Sequence, residues 1–277
     1  MNIRTVAKAA IGRIPRSVLY EVFYQSARTL GIQSYEAHGD EGSFFGPIYD
    51  QSVIKSYLAN GSWSKNILSM FREYFGDEPG TMYDIGGNIG LIAIPIAKNP
   101  RIRTVSFEPE PRNCSLLRAN VALAGVTVEV INAAVADRKG TMHFTCSDYN
   151  SGDHRLSSDG TIAVETIRLD DFPPAPGRFA VKIDTQGAEP AIFAGGANTL
   201  SQAGLIVSEF WPWGMRRMGL EPSPVLKFIE EHSAKGCVLK HDQVAGEFQS
   251  VGSTIDTLRE VISRGGEYDQ VDVVLAA

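Results

Sequence analysis

Asp84-Ile85-Gly86-Gly87-Asn88-Ile89-Gly90 sets an acid in front of three glycines within seven residues. Glycines at such a turn let the backbone reverse sharply and approach a ligand, and the helix that follows is expected to offer unpaired N–H groups. A dinucleotide fingerprint requires glycine at relative positions one, three and six. Counted from Gly86, the third place holds Asn88 and the sixth Leu91, so a nicotinamide site fails twice. The acid gives a further reason, because Asp84 repels a pyrophosphate but can hold an ammonium group directly or through water. The next β run ends at Glu108, a carboxylate suited to accept both hydroxyls of a ribose; the competing reading is a surface acid beside Arg112. A cationic, phosphate-free nucleoside satisfies both acids, and S-adenosylmethionine is such a molecule.

These residues need a scaffold that brings strand ends together. Short β runs at 82–85, 103–107, 126–135, 179–183 and 205–210 alternate with helical patterns at 89–98, 112–124 and 190–200, which predicts βαβ crossovers and a parallel sheet. Residues 140–169 interrupt the alternation and predict a β-hairpin inserted over the strand ends, within an insertion of about 138–170. The runs 237–241 and 271–275 suit an antiparallel sheet edge. Upstream, apolar spacing predicts helices over 18–30, over 53–58 after a cap at Asp50, and over 64–75. Residues 39–47, with glycines, a proline and two phenylalanines, are expected to form a mobile loop able to cover a pocket. The expected layout is a helical N-terminal extension or substrate lid over 1–78, followed by one α/β domain over 79–277.

Bulk composition narrows the partners. With 43% hydrophobic and 21% charged residues, the chain has the material for a substantial core. A net charge of -6 disfavours a grip on a nucleic-acid backbone. Cys114, Cys146 and Cys237 show no metal-ligand spacing and read as free thiols, with cytoplasmic localisation expected. Apolar runs fall short of a membrane span, although Arg4, Lys8, Arg13 and Arg16 make the N-terminus basic enough for peripheral contact with an anionic surface.

Four segments in order, Asp84–Gly90, Phe107-Glu-Pro-Glu-Pro-Arg-Asn113, Asn132-Ala-Ala-Val135 and Lys182-Ile-Asp-Thr-Gln-Gly-Ala-Glu189, resemble the FkbM family of S-adenosylmethionine-dependent methyltransferases. The resemblance covers about 81–213. It implies a Rossmann-like class I methyltransferase fold with a mostly parallel seven-stranded sheet flanked by helices. It also implies O-methylation, and a backbone at Ala133 and Ala134 lying beside the adenine. Gly87 stands where the family more often has alanine, and Gln186 where many members have Glu.

Transfer of a methyl group from positive sulfur is an in-line displacement, so alignment and exclusion of water dominate. An alcohol acceptor must lose its proton as the bond forms, which calls for a base. His154, in the run Asn150-Ser-Gly-Asp-His-Arg155 that some family members share, is the expected general base, with Asp184 at the end of the strand 179–183 supporting or substituting for it. Asp153, Arg155, Gln186, Glu189, Glu209 and Trp211 are candidates for acceptor binding, with helix capping the competing role for Glu189 and core packing that for Trp211 and Trp213. Asp84, Gly86, Gly87, Asn88, Gly90, Glu108, Ala133, Ala134 and Asp184 are the expected cofactor set. No resident metal is expected; Asp184 and Glu209 offer the one oxygen pair that magnesium could use. The expected acceptor is a small molecule or carbohydrate; N-methylation and a non-catalytic cofactor-binding scaffold are the alternatives.

Overall fold

The computed structural model describes residues 16–146, 155–156, 160–174, 176–240 and 246–277, and the side chains of all of these except 16–20 and 155–156. Helix α1 (Arg16–Thr29) leads into strands β1 (Ser34–Gly39) and β2 (Gly42–Pro47), then helices α2 (Val53–Asn60) and α3 (Lys65–Phe75). The alternating region follows as β3 (Gly80–Ile85), α4 (Ala93–Ala97), β4 (Ile102–Phe107), α5 (Pro111–Ala124) and β5 (Val128–Ile131). A small second sheet is built from β6 (Ala134–Val135), β7 (Gly140–Thr145), β8 (Arg155–Leu156) and β9 (Ile162–Ile167). The chain then returns through β10 (Arg178–Ile183), α6 (Glu189–Leu200), β11 (Leu205–Phe210), α7 (Pro212–Arg217) and α8 (Ser223–His232). It closes with β12 (Lys235–Leu239), β13 (Gln249–Ser250), α9 (Val251–Arg264) and β14 (Val271–Ala276).

The central sheet has the order β13-β12-β14-β11-β10-β3-β4-β5, with parallel pairing from β11 through β10, β3 and β4 to β5. Strands β3 and β11 are buried at every position, as expected where helices cover both faces. The fold is thus the mainly parallel α/β class that the alternation predicts. It has eight strands rather than seven, the additional one being the two-residue pairing of β13 on β12. The C-terminal pair makes the antiparallel end of the sheet, as the sequence predicts, with β14 antiparallel to both β11 and β12 and lying inside β12. Its Val271, Val273, Val274 and Leu275 are buried, because both faces of the strand are covered and strands pair with it on both sides.

Three further expectations change. Residues 39–47 are the turn and second strand of a β1–β2 hairpin, with full pairing from Ser34–Pro47 to Gly39–Gly42. Its glycines serve close packing rather than mobility: a Cβ on Gly39 would lie 2.3 Å from the Gly61 carbonyl oxygen, and one on Gly46 would lie 2.4 Å from Ile54. The helix expected over 89–98 is shortened to α4, because Gly90 takes φ +97°, outside helical space. The β run expected over 126–135 splits at Asn132, whose amide donates to the Glu108 and Pro109 carbonyls (2.8 and 3.0 Å) and turns the chain toward the second sheet. The inserted hairpin is present as the antiparallel β7–β9 pair.

The crossover order reverses between β3 and β10. From β3 the chain winds one way through β4 and β5, then returns to the other side of β3 at β10. In open α/β sheets the crevice at such a switch point, beyond the strand C-terminal ends, is where ligands bind.

Candidate active site

A cavity of about 630 Å³ opens at that switch point, within the range of small-molecule sites. Its floor is made by the turns after β3, β4 and β10, including Asp84, Gly86, Gly87, Asn88, Glu108 and Asp184. Ala133, Ala134 and Phe144 line it from the second sheet and the chain leading into it. Ser52, Ser56, Asn60 and Trp63 line it from α2 and the α2–α3 corner, and Gln270 and Asp272 from the start of β14.

Within the glycine turn four N–H groups are already spent. Gly86 and Gly87 donate to the Phe107 carbonyl (2.9 and 3.0 Å), Gly90 donates to Gly87 (2.8 Å), and Asn88 donates to Glu108 Oε2 (2.7 Å). The turn is therefore an internal brace between β3 and β4, not the anion cradle that unpaired N–H groups would provide. Gly86 must be glycine, since it has φ +87° and a Cβ there would stand 1.9 Å from the Asp184 carbonyl oxygen. At Gly87 the obstacle is softer. A Cβ would meet Ser106 Oγ at 1.9 Å, so an alanine there requires that hydroxyl to rotate. Gly90 lies behind the cavity wall, packed against Leu117 and Ile94.

Asp84 is 1% exposed, and its Oδ2 has no hydrogen-bond partner. Burial pushes its carboxyl up to about 6, against the pull of the Lys182 ammonium and a hydrogen bond from the Ala93 amide. An orphaned buried carboxylate oxygen on a ligand cavity calls for a cationic donor, which fits the ammonium of an amino-acid group. Glu108 is buried, with Oε1 accepting from the Glu110 amide (2.9 Å) and Oε2 from Asn88. Burial pushes its carboxyl up to about 8, and those two amide bonds only partly offset this. Each oxygen keeps a lone pair for a hydroxyl donor. Arg112 does not pair with Glu108; it bonds Glu110 at 3.1 Å. Residues and cavity together fit S-adenosylmethionine.

Lys182, a motif residue with no role assigned by its position alone, stands beside Asp84 in the β3–β10 register. Its Nζ donates to Asp184 Oδ2 at 2.8 Å. Although burial opposes its charge, Asp184 and Asp84 hold the ammonium above the ordinary lysine range. Burial likewise opposes ionisation of Asp184, yet Lys182 and a 3.1 Å bond from Gln186 Nε2 hold that carboxyl below the usual range.

Gln186 adopts φ +59° and lines the cavity. Two buried acids outside the lining hold it there. Glu209 accepts from the Gln186 amide (3.0 Å) and from its Nε2 (2.9 Å), and also from Gln270 Nε2. Burial and the charges of Asp184, Glu189 and Asp272 push the Glu209 carboxyl well above the usual range. Glu189 folds back to accept from the Thr185 amide and hydroxyl (2.9 and 2.8 Å) and from the Gly187 amide. Trp211 points elsewhere: its indole N–H donates to the Glu267 carbonyl at 2.8 Å, and its ring stacks near Trp213 at 5.2 Å beneath Arg217. The aromatic residue that does line the cavity from the N-terminal side is Trp63, which lies between the two predicted helices and carries no motif of its own.

Asp153 and His154 lie outside the described residues, as does the side chain of Arg155. No group of three or more metal-ligating side chains occurs among the described residues, and no described helix is long and apolar enough to cross a membrane.

The profile of the methyltransferase FkbM domain matches residues 84–235, more than half of the chain. The hexuronic acid methyltransferase AglP of Haloferax volcanii is 26% identical over 159 residues, covering 56% of this chain and 63% of that protein. The 2-O-methyltransferase NoeI of Sinorhizobium fredii is 31% identical over 151 residues, covering 46% of this chain and 61% of that protein. The chain thus spans less than two thirds of either relative.

Proposed function

Because the chain belongs to the FkbM methyltransferase family, we propose that it passes the methyl group of S-adenosylmethionine to a hydroxyl of a sugar-containing acceptor. The observation that carries this reading is the orphaned Asp84 Oδ2 in the same cavity as Glu108, beside a turn in which the N–H groups of Gly86, Gly87, Asn88 and Gly90 are committed internally. Such a site attracts a cation and ribose hydroxyls, and its lining ammonium, Lys182, is already paired with Asp184 rather than offered to a phosphate. Both relatives methylate by name, one a hexuronic acid and the other a 2-O position, which favours a carbohydrate over other hydroxylic acceptors. A net charge of -6 agrees with an acceptor other than nucleic acid.

S-adenosylmethionine supplies a methyl carbon already activated by positive sulfur. Asp84 holds the ammonium end, Glu108 accepts the ribose hydroxyls, and the backbone at Ala133 and Ala134 flanks the adenine. Lys182 keeps Asp184 ionised, and Asp184 with Gln186 faces the acceptor end of the cavity. A carboxylate held below its ordinary range is a weak base, so Asp184 orients and stabilises charge. His154 takes the acceptor's hydroxyl proton onto an imidazole nitrogen, with Asp153 and Arg155 beside it. Glu189 and Glu209 act through Gln186, fixing its backbone.

Calorimetry with S-adenosylmethionine tests the cofactor half. The wild type is expected to bind, with Asp84→Asn and Glu108→Gln each weakening binding by roughly tenfold or more, about 1.4 kcal/mol. Unchanged affinity in both variants sinks the assignment. Bound cofactor without methyl incorporation into any saccharide overturns the carbohydrate acceptor, and without incorporation into any hydroxyl or amine acceptor it leaves a scaffold instead of an enzyme.

A further inference from the structure

Among the described residues, the non-glycine positions with φ above zero are Ser64, Asn88 and Gln186, and all three line the one cavity. Such backbones cost on the order of 1–3 kcal/mol each and persist where the surroundings impose them, typically at ligand sites. Asn88 belongs to the cofactor turn and Gln186 to the acidic brace. Ser64 belongs to neither: it lies at the α2–α3 corner, outside the segment matched by the family profile.

That corner presents a distinct set of groups. Ser52 and Ser64 stand at the N-cap positions of α2 and α3, yet neither side chain caps its helix. At α2 the capping is done by Asp50, which accepts from the amides of Ser52, Val53 and Ile54 (2.7, 3.0 and 3.1 Å). Both serines line the cavity, with Ser56 and Asn60 between them on α2 and Trp63 beside Ser64. Trp63 is partly exposed and packs against two hydrophobic clusters, so its ring is held from behind while it borders the cavity. An indole flanked by hydroxyls and an amide matches a pyranose, whose C–H faces are apolar and whose rim is hydroxylated.

Resting on the methyltransferase reading above, we propose that the α2–α3 corner is the acceptor subsite: the sugar ring stacks on Trp63, and Ser56, Asn60 and Ser64 read its hydroxyls. The strand ends hold the cofactor, and this corner, outside the matched family segment, chooses the acceptor.

The experiment uses the full chain saturated with S-adenosylhomocysteine and titrates methyl glycosides of a neutral hexose and of a hexuronate. Tryptophan fluorescence and saturation-transfer NMR follow binding. At least one glycoside is expected to bind, with a fluorescence change that disappears in Trp63→Phe. In turnover, Asn60→Ala and Trp63→Phe should each raise acceptor KM by roughly fivefold or more while cofactor Kd stays within about twofold. Ser64→Gly, which relieves the backbone and cannot misfold for steric reasons, should raise acceptor KM alone. If cofactor fails to bind the wild type, the methyltransferase reading falls. If cofactor binds but neither glycoside does, or if all three variants keep the wild-type acceptor KM, the subsite falls and that reading stands.

Discussion

Two carboxylates in the cavity carry opposite consequences for the free and the loaded protein. Burial pushes Glu108 up to about 8 from 4.5, and Asp84 up to about 6 from 3.8. A folded state that binds protons more tightly than the unfolded chain is favoured at low pH. The Glu108 contribution is therefore complete below about 4.5 and is lost as pH rises through about 8. An ammonium on Asp84 and ribose hydroxyls on Glu108 stabilise the ionised forms, so cofactor binding must lower both values and expel protons. Titration calorimetry at pH 6.5 in two buffers of different ionisation enthalpy should report net proton release, and affinity should rise between pH 5.5 and 8. The thermal shift produced by S-adenosylmethionine should likewise be larger at pH 8 than at pH 6. Proton uptake, or pH-independent affinity, would contradict the roles given to these acids. Both acids were legible from sequence, because an acid before a glycine turn and an acid at a strand end are positional signals. Lys182 was not: nothing in one strand's sequence states which residue of its neighbour it will face.

At the scale of elements, the glycine turn joins β3 to β10 and β4 through contacts that differ in softness. Gly86→Ala drives a methyl into a backbone carbonyl at a positive φ, and the carbonyl can retreat only if β3 and β10 part. Gly87→Ala meets a single hydroxyl that can rotate. Urea denaturation is expected to show a loss of about 2–4 kcal/mol for the first and under about 1 kcal/mol for the second. Equal losses would mean that the turn relaxes as a whole. Legibility at this scale is mixed, for physical reasons. Strands β3, β10 and β11 are short, mainly apolar runs bounded by turn residues, each with a charged residue near its C-terminal end, and were predictable. The hairpin of β1 and β2 was not, because its glycines signal flexibility in isolation and close packing only once Ile54 and Tyr57 are known to lie against them. Trp211 misled for the same reason: a tryptophan at a strand end is well placed for a ligand, and only the Glu267 carbonyl 2.8 Å from its indole nitrogen shows where it is used.

For the whole molecule, the question is whether the N-terminal quarter is a movable lid or part of one cooperative body. A single hydrophobic cluster contains Tyr24, Phe44, Ile54 and Tyr57 together with Ile89, Ile94 and Leu117 from the glycine turn, α4 and α5. Asn120, fully buried on α5, ties the parts together through polar bonds: its Oδ1 accepts from the Phe45 amide (2.7 Å), and its Nδ2 donates to the carbonyls of Phe45 (3.0 Å) and Ile89 (2.9 Å). A hinged lid would have to break these bonds and expose that cluster at each opening, which is too costly for a fast gate. The hairpin, α2 and the acceptor corner are therefore expected to unfold together with the sheet. Tryptophan fluorescence of a Trp211→Phe, Trp213→Phe chain reports on Trp63 alone, and its denaturation curve should coincide with that of far-UV circular dichroism. Asn120→Ala leaves a buried amide and two carbonyls unpaired and should lower both midpoints together, by about 2–4 kcal/mol. An early fluorescence transition around Trp63, widened by Asn120→Ala, would instead identify a detachable cap. In that event acceptor entry would be gated by the extension rather than by the α2–α3 corner alone.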